Sequence, residues 1–169
     1  DINFLIISWR GYSLSDGKPT EDGLYDDART AIKFLLKKGI FEQDIILYGE
    51  SLGTGVAVEI GQNKNFAGII LEAPFTSMIE LGQKYYPFFP VKFLLKDKYE
   101  SNKKIKNLKS PLLVMHGKKD RIVPFYMGEN IFNMANNPKF KYFTDMDDHM
   151  MNFDEKLINE IDLFINSLN

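Results

Sequence analysis

The chain has 169 residues, 44% of them apolar and 26% charged: length for about one domain with a buried core, and the composition of an ordinary globular protein. Its 21 Lys and Arg against 23 Asp and Glu leave a net charge of −2, so no overall field draws it to nucleic acid, and none is expected as a partner. With no cysteine, disulfides, thiolate metal sites and a thiol nucleophile are excluded.

Residues 3–8 form a short apolar run that reads as a buried strand, and Gly11, Ser13, Asp16, Gly17 and Pro19 then mark a loop. Thr20, followed by Glu21 and Asp22, starts a helix in which Leu24, Ala28, Ile32 and Leu35 recur at helical spacing as far as Gly39. Residues 45–48 read as a second strand and 52–60 as a helix rich in small residues. The runs 69–71 and 112–115 repeat the strand pattern. Pro124 suits the first position of a helix that ends before Asn137 and Pro138. A last strand is predicted over 140–144, and Leu157, Ile161, Phe164 and Leu168 lie on one face of a closing helix. Strands alternating with helices predict an α/β fold, a mostly parallel sheet with helices on both faces, as a single domain over residues 1–169. Residues 75–110 break the rhythm and read as an insertion. The longest apolar runs are four residues, where a bilayer-spanning helix needs about 20. The chain opens on Asp1, not Met, and is expected to be a portion of a longer protein.

The chemistry concentrates in Gly49-Glu50-Ser51-Leu52-Gly53, which follows a predicted strand directly and runs into a predicted helix. That is the context of a nucleophile elbow: a sharp turn holds the serine hydroxyl clear of the sheet. Glycines two positions to either side leave room for the turn. At the helix N-terminus the N–H of Leu52 is free to stabilise an oxyanion. The competing reading is a glycine-rich turn with a helix-capping serine. A serine needs a base, and the sequence holds only His116 and His149. His116, at the end of a strand, reads as a buried structural histidine. His149, in a polar loop before the last helix, can swing toward the strand ends and is the candidate base. In the order serine, acid, histidine that accompanies such an elbow, the acid is Asp120, on the turn after the strand at 112–115. Asp147 and Asp148 compete but adjoin His149, which places them badly for its ring.

With these residues in view the sequence resembles the α/β-hydrolase superfamily, and within it the bud-emergence-like branch near the dienelactone hydrolases and prolyl-oligopeptidase-like enzymes. The resemblance is carried by Trp9-Arg10-Gly11-Tyr12, by the segment 15–28, and by Gly49-Glu50-Ser51-Leu52-Gly53. Glu72-Ala73-Pro74-Phe75-Thr76-Ser77 and His116-Gly117-Lys118-Lys119-Asp120-Arg121-Ile122-Val123-Pro124 follow in the same order. It implies an α/β-hydrolase fold with Ser51 as nucleophile, Asp120 as acid, His149 as base and the Leu52 amide in the oxyanion hole. Two departures stand out. Asp147-Asp148 replaces a usual glycine and puts extra negative charge beside His149. The family's third strand, with the loop that donates the second oxyanion N–H, would precede Asp1 and lie between the strands at 3–8 and 45–48. Those two strands are therefore expected to flank an unfilled slot, and the 169 residues alone to be poorly stable and weakly active.

The insertion concentrates Tyr86, Phe88, Phe89 and Phe93, read as an acyl-binding wall or as aromatic packing that seals the insertion to the core. Lysines 92, 96, 98, 103, 104, 106 and 109 outnumber Asp97 and Glu100, which suits peripheral contact with an anionic membrane or a solvated basic face. The leading expectation is a serine hydrolase acting on a small-molecule or acylated substrate, an ester or thioester. A peptidase of the same fold and a catalytically silent binding module are the alternatives. No nucleotide-binding glycine motif follows any strand, and two histidines 33 residues apart make a poor metal site, so no cofactor and no metal are expected.

Overall fold

The computed structural model describes residues 2–168. Its sheet has four parallel strands, β1 (Ile46–Glu50), β2 (Gly68–Glu72), β3 (Leu112–Gly117) and β4 (Lys139–Thr144), side by side in that order. Helices α1 (Glu21–Lys37), α2 (Leu52–Gly61), α6 (Phe125–Met134) and α7 (Glu155–Asn166) accompany them. The insertion is not irregular: it contains the short helices α3 (Met78–Tyr85), α4 (Val91–Leu94) and α5 (Ser101–Lys104).

The two-residue period of the strands sorts their side chains onto two faces. Ile69, Leu71, Leu112 and Val114 point one way and pack with Ala57 and Val58 of α2 and Ile131 of α6. Ile70, Leu113 and Met115 point the other way, onto Leu157 and Phe164 of α7. With both faces covered, β2 and β3 are buried along their whole length, as continuous apolar runs require. The helix starts follow side-chain capping of free N–H groups. Thr20 accepts from Gly23, Ser77 from Glu80 and Asp154 from Leu157. Pro124 is the residue before α6, one position earlier than expected.

The predicted opening strand is absent. Residues 3–8 join no sheet, and Phe4 and Ile6 are 85% and 90% exposed. A strand is held by ladder hydrogen bonds to a neighbour, which an apolar run does not supply by itself. Among the described residues β1 pairs only with β2, so its other edge carries unpaired backbone groups and a half-exposed Tyr48. The segment after residue 8 is nevertheless fixed. Arg10 makes a forked ion pair with Asp27 of α1, its Nη2 2.7 Å from Oδ1, while the Arg10 backbone N–H donates to Asp27 Oδ2.

Candidate active site

The sheet delivers three predicted residues to one rim, at the carboxyl ends of its strands. Ser51 sits between β1 and α2 with φ 49° and ψ −114°, a strained conformation for a residue with a Cβ. Gly49 permits this bend. A Cβ there would lie 2.5 Å from the Gly53 carbonyl oxygen, whereas one at Gly53 would meet nothing. Only the first of the two glycines is therefore demanded by the turn. The Ser51 N–H donates to the Glu72 carbonyl on β2 at 2.9 Å, and the Ser51 carbonyl takes the Thr54 hydroxyl at 2.6 Å. Leu52 opens α2, so no carbonyl one turn below can accept its N–H.

Ser51 Oγ lies 3.0 Å from His149 Nε2, and His149 Nδ1 lies 2.8 Å from Asp120 Oδ2. An ionised carboxylate only accepts, so Nδ1 carries the proton and Nε2 is left to accept from the serine hydroxyl. The turn after β3 saturates Asp120. Oδ1 accepts the N–H groups of Ile122 and Val123, each at 2.8 Å, and Oδ2 accepts from His149 and from His116 Nε2 at 3.1 Å. Burial pushes the Asp120 carboxyl up, but the hydrogen bonds from His116, His149, Val123 and Ile122 outweigh it and hold the pKa down at about 2.

The competing acids have other tasks. Asp148 Oδ1 accepts the backbone N–H groups of Arg121 and of His149 itself, and the Asp147 carbonyl accepts from Lys119. Both pin the His149 loop to the turn that carries Asp120, and neither carboxylate contacts the imidazole.

Two residues at this rim carry more than their sequence positions indicate. His116 is fully buried, and its Nε2 faces two acceptors, Asp120 Oδ2 and the Val123 carbonyl at 3.0 Å, so it must be the protonated nitrogen. The ring fits because residue 128 on α6 is glycine; a Cβ there would stand 2.1 Å from His116 Nδ1. The signal available in the sequence is the pair His116 and Asp120 four apart across a tight turn. Glu72, at the end of β2 beside Ser51, is also buried and is bonded to the Tyr48 hydroxyl. Burial first, and then the charge of Glu50, push its carboxyl up against the opposing Tyr48 bond.

Tyr86, Phe88, Phe89 and Phe93 are all exposed, Phe88 at 97%; Tyr86 and Phe89 meet edge to face with ring centres 6.3 Å apart. The insertion is sealed to the core by other residues, Val91, Tyr99, Ile105 and Leu108. Among the described residues no group of three His, Asp or Glu side chains is placed to hold a metal ion. A hollow of about 730 Å³ between β4, α6 and α7 contains none of the three rim residues.

The sequence profile of the prolyl oligopeptidase family matches residues 11–161. The chain belongs to this family. An uncharacterized protein of Mycobacterium tuberculosis is 38% identical over 139 residues, covering 82% of this chain and 50% of that protein. Human α/β hydrolase domain-containing protein 17B is 31% identical over 141 residues, covering 80% and 46%. The chain thus spans about half the length of such relatives. In three dimensions it is similar to the Pyrococcus furiosus esterase Pf2001, with a TM-score of 0.75 at 19% identity over 95% of this chain and 69% of that one. An α/β hydrolase from Vibrio vulnificus gives 0.72 at 24% identity, over 95% and 61%. The architecture of this prolyl oligopeptidase family member is accordingly a partial α/β-hydrolase fold, an expectation of the sequence that the neighbours bear out.

Proposed function

We propose that this chain carries a serine hydrolase centre that cleaves a carboxylic ester or thioester through an acyl-enzyme. The observation that supports it most is the unbroken hydrogen-bonded line from Ser51 Oγ through His149 to Asp120, at 3.0 and 2.8 Å. In this reading Ser51 Oγ attacks the acyl carbonyl while His149 Nε2 takes its proton. Asp120 fixes the tautomer and stabilises the imidazolium. The Leu52 N–H, at the positive end of α2, donates to the oxyanion. His149 then returns the proton to the departing alcohol or thiol, and water repeats the sequence to release the acid.

The family match supports a second reading, cleavage of a peptide bond by the same three residues. The two differ in the leaving group that His149 must protonate. A panel of p-nitrophenyl esters, acyl thioesters and peptidyl anilides, each run beside Ser51→Ala, separates them. Serine-dependent turnover of esters or thioesters with none of anilides is the expected result. Anilide turnover at a comparable kcat/KM replaces the first reading with the second, and turnover of nothing by a folded protein removes both in favour of a silent binding module.

A further inference from the structure

Exposed apolar side chains occur along the whole chain, Leu14, Phe41, Met146 and Leu163 among them, and two of the segments that carry several of them differ in kind. Near the amino end, Phe4 and Ile6 belong to a segment whose backbone is itself unpaired, so its open face is one of strand pairing. In the insertion the backbone is turned into α3 and α4, and the exposed groups are side chains on a folded platform. Phe88 is 97% exposed, Phe93 85%, Leu94 64% and Tyr86 62%. Single exposed apolar residues need no cause, but several bulky ones within nine positions form a patch that does.

The platform is anchored at both ends. Ser77 caps α3, and the N–H groups of Lys98 and Tyr99 donate to Glu21 Oε2 at 2.6 and 3.0 Å. The Tyr85 hydroxyl donates to the carbonyls of Arg121 and Ile122, which places the end of α3 beside the turn that carries Asp120. The patch therefore borders the candidate active site.

Charge decides what the patch faces. Residues 81–96 contain Lys84, Lys92 and Lys96 and no acidic residue. All three lysines are exposed, and none has an acidic side chain within ion-pair distance among the described residues. The lysines farther along are partly neutralised: Lys103 pairs with Glu100 at 2.7 Å, and Lys104 with Glu59 at 2.8 Å. Lys98, Lys106 and Lys109 carry no ion pair among the described residues either, but Lys84, Lys92 and Lys96 are the unpaired lysines within the stretch that holds the exposed aromatics. Aromatic and leucine side chains between unpaired lysines suit a surface that is apolar beneath a layer of negative charge. Rings and leucines enter the head-group and acyl boundary, and lysines stay at the phosphates.

We propose that residues 84–96 are a docking face for an anionic lipid bilayer, seating the rim of Ser51, His149 and Asp120 against the membrane surface. Docking does not depend on the hydrolase reading, which the substrate panel tests separately.

Co-sedimentation with vesicles tests it, using phosphatidylcholine alone and phosphatidylcholine with about 30% phosphatidylserine, at about 0.1 M and about 1 M salt. The protein should bind the anionic vesicles at low salt, bind the neutral ones far more weakly, and be released at high salt. Replacing the three lysines together with Gln should weaken anionic binding on the order of 10²-fold, from a factor of about five for each charge. It should leave turnover of a soluble short-chain ester unchanged. Phe88→Ser with Phe93→Ser should weaken binding at least about tenfold on the loss of two buried rings, with an unchanged circular dichroism spectrum. No binding of the unsubstituted protein, or equal binding by the triple-lysine variant, overturns the proposal. So does a concentration-dependent dimer that Phe88→Ser with Phe93→Ser dissolves while vesicles leave it in solution, since a second copy is then the occupant.

Discussion

Replacing Asp120 with Asn probes the candidate site at its most constrained point. Oδ1 accepts two backbone N–H groups and Oδ2 two imidazole N–H groups, so all four partners are donors. An amide offers one oxygen and one NH2, and whichever way it turns, an NH2 faces a pair of donors. Turned toward Ile122 and Val123, the NH2 leaves two backbone groups unpaired at about 1–3 kcal/mol each. Turned toward the histidines it is cheaper. His116 keeps the Val123 carbonyl as acceptor, and His149 can shift its proton from Nδ1 to Nε2. That second orientation removes the base, because a protonated Nε2 cannot take the serine proton. The expected outcome is a loss of roughly 10³–10⁴ in kcat for ester turnover, about 4–5 kcal/mol, with KM little changed. The stability effect follows from the depressed pKa. A drop from 3.8 to about 2 favours the folded, ionised form by about 2 kcal/mol, so the variant should melt about 4–8 °C lower at neutral pH. This contribution is present above the unfolded pKa of about 4 and is lost as pH falls through the folded value. The stability gap between the two proteins should therefore close between about pH 4 and pH 2. A kcat within tenfold of the unsubstituted protein, with the large loss appearing instead in Asp147→Asn or Asp148→Asn, would refute the assignment of the acid.

Three other substitutions probe the supports of the rim. Gly49→Ala should prevent folding or abolish turnover, because its Cβ meets backbone at 2.5 Å, while Gly53→Ala should leave the thermal midpoint within a few degrees; equal tolerance of the two changes would contradict the geometry of the turn. His116→Leu should lower stability in urea by about 2–3 kcal/mol, since it removes a hydrogen bond to a carboxylate and leaves the Val123 carbonyl without its imidazole donor; an unchanged midpoint would show that the ring does not support Asp120. Because burial raises the Glu72 carboxyl, its ionisation opposes folding, with the penalty absent below the unfolded pKa of about 4.3 and growing as pH rises through the folded one. Glu72→Gln should thus gain stability relative to the unsubstituted protein as pH rises from about 4 to 7, and melting curves that stay parallel would deny the burial effect.

What the sequence reveals here is what local rules govern. The bend at Ser51 is readable because a strand pattern, a glycine at 49 and a helix pattern abut within a few residues, and helix α1 because Thr20 caps a run of regular period. The residues 3–8 show where such rules stop. Their apolar pattern fits a strand, but pairing depends on a neighbour that the pattern does not contain. The role of His116 was hidden for a similar reason. Its position at a strand end fits a structural histidine, and only the gap left by Gly128, on another element, aims its ring at Asp120. The insertion misleads by counting. Seven lysines suggest one basic face, yet Glu59 and Glu100 occupy two of them, and of the five without an ion pair among the described residues only Lys92 and Lys96 lie beside the aromatics.

The most direct measurement is the reaction of the purified protein with a fluorophosphonate, read by mass spectrometry of the intact chain and of its peptides. The proposed centre requires one adduct per chain, on Ser51, with none on Ser51→Ala and a much slower reaction for His149→Ala. A cooperatively folded protein that takes no adduct, or takes it on a different serine, would contradict the account.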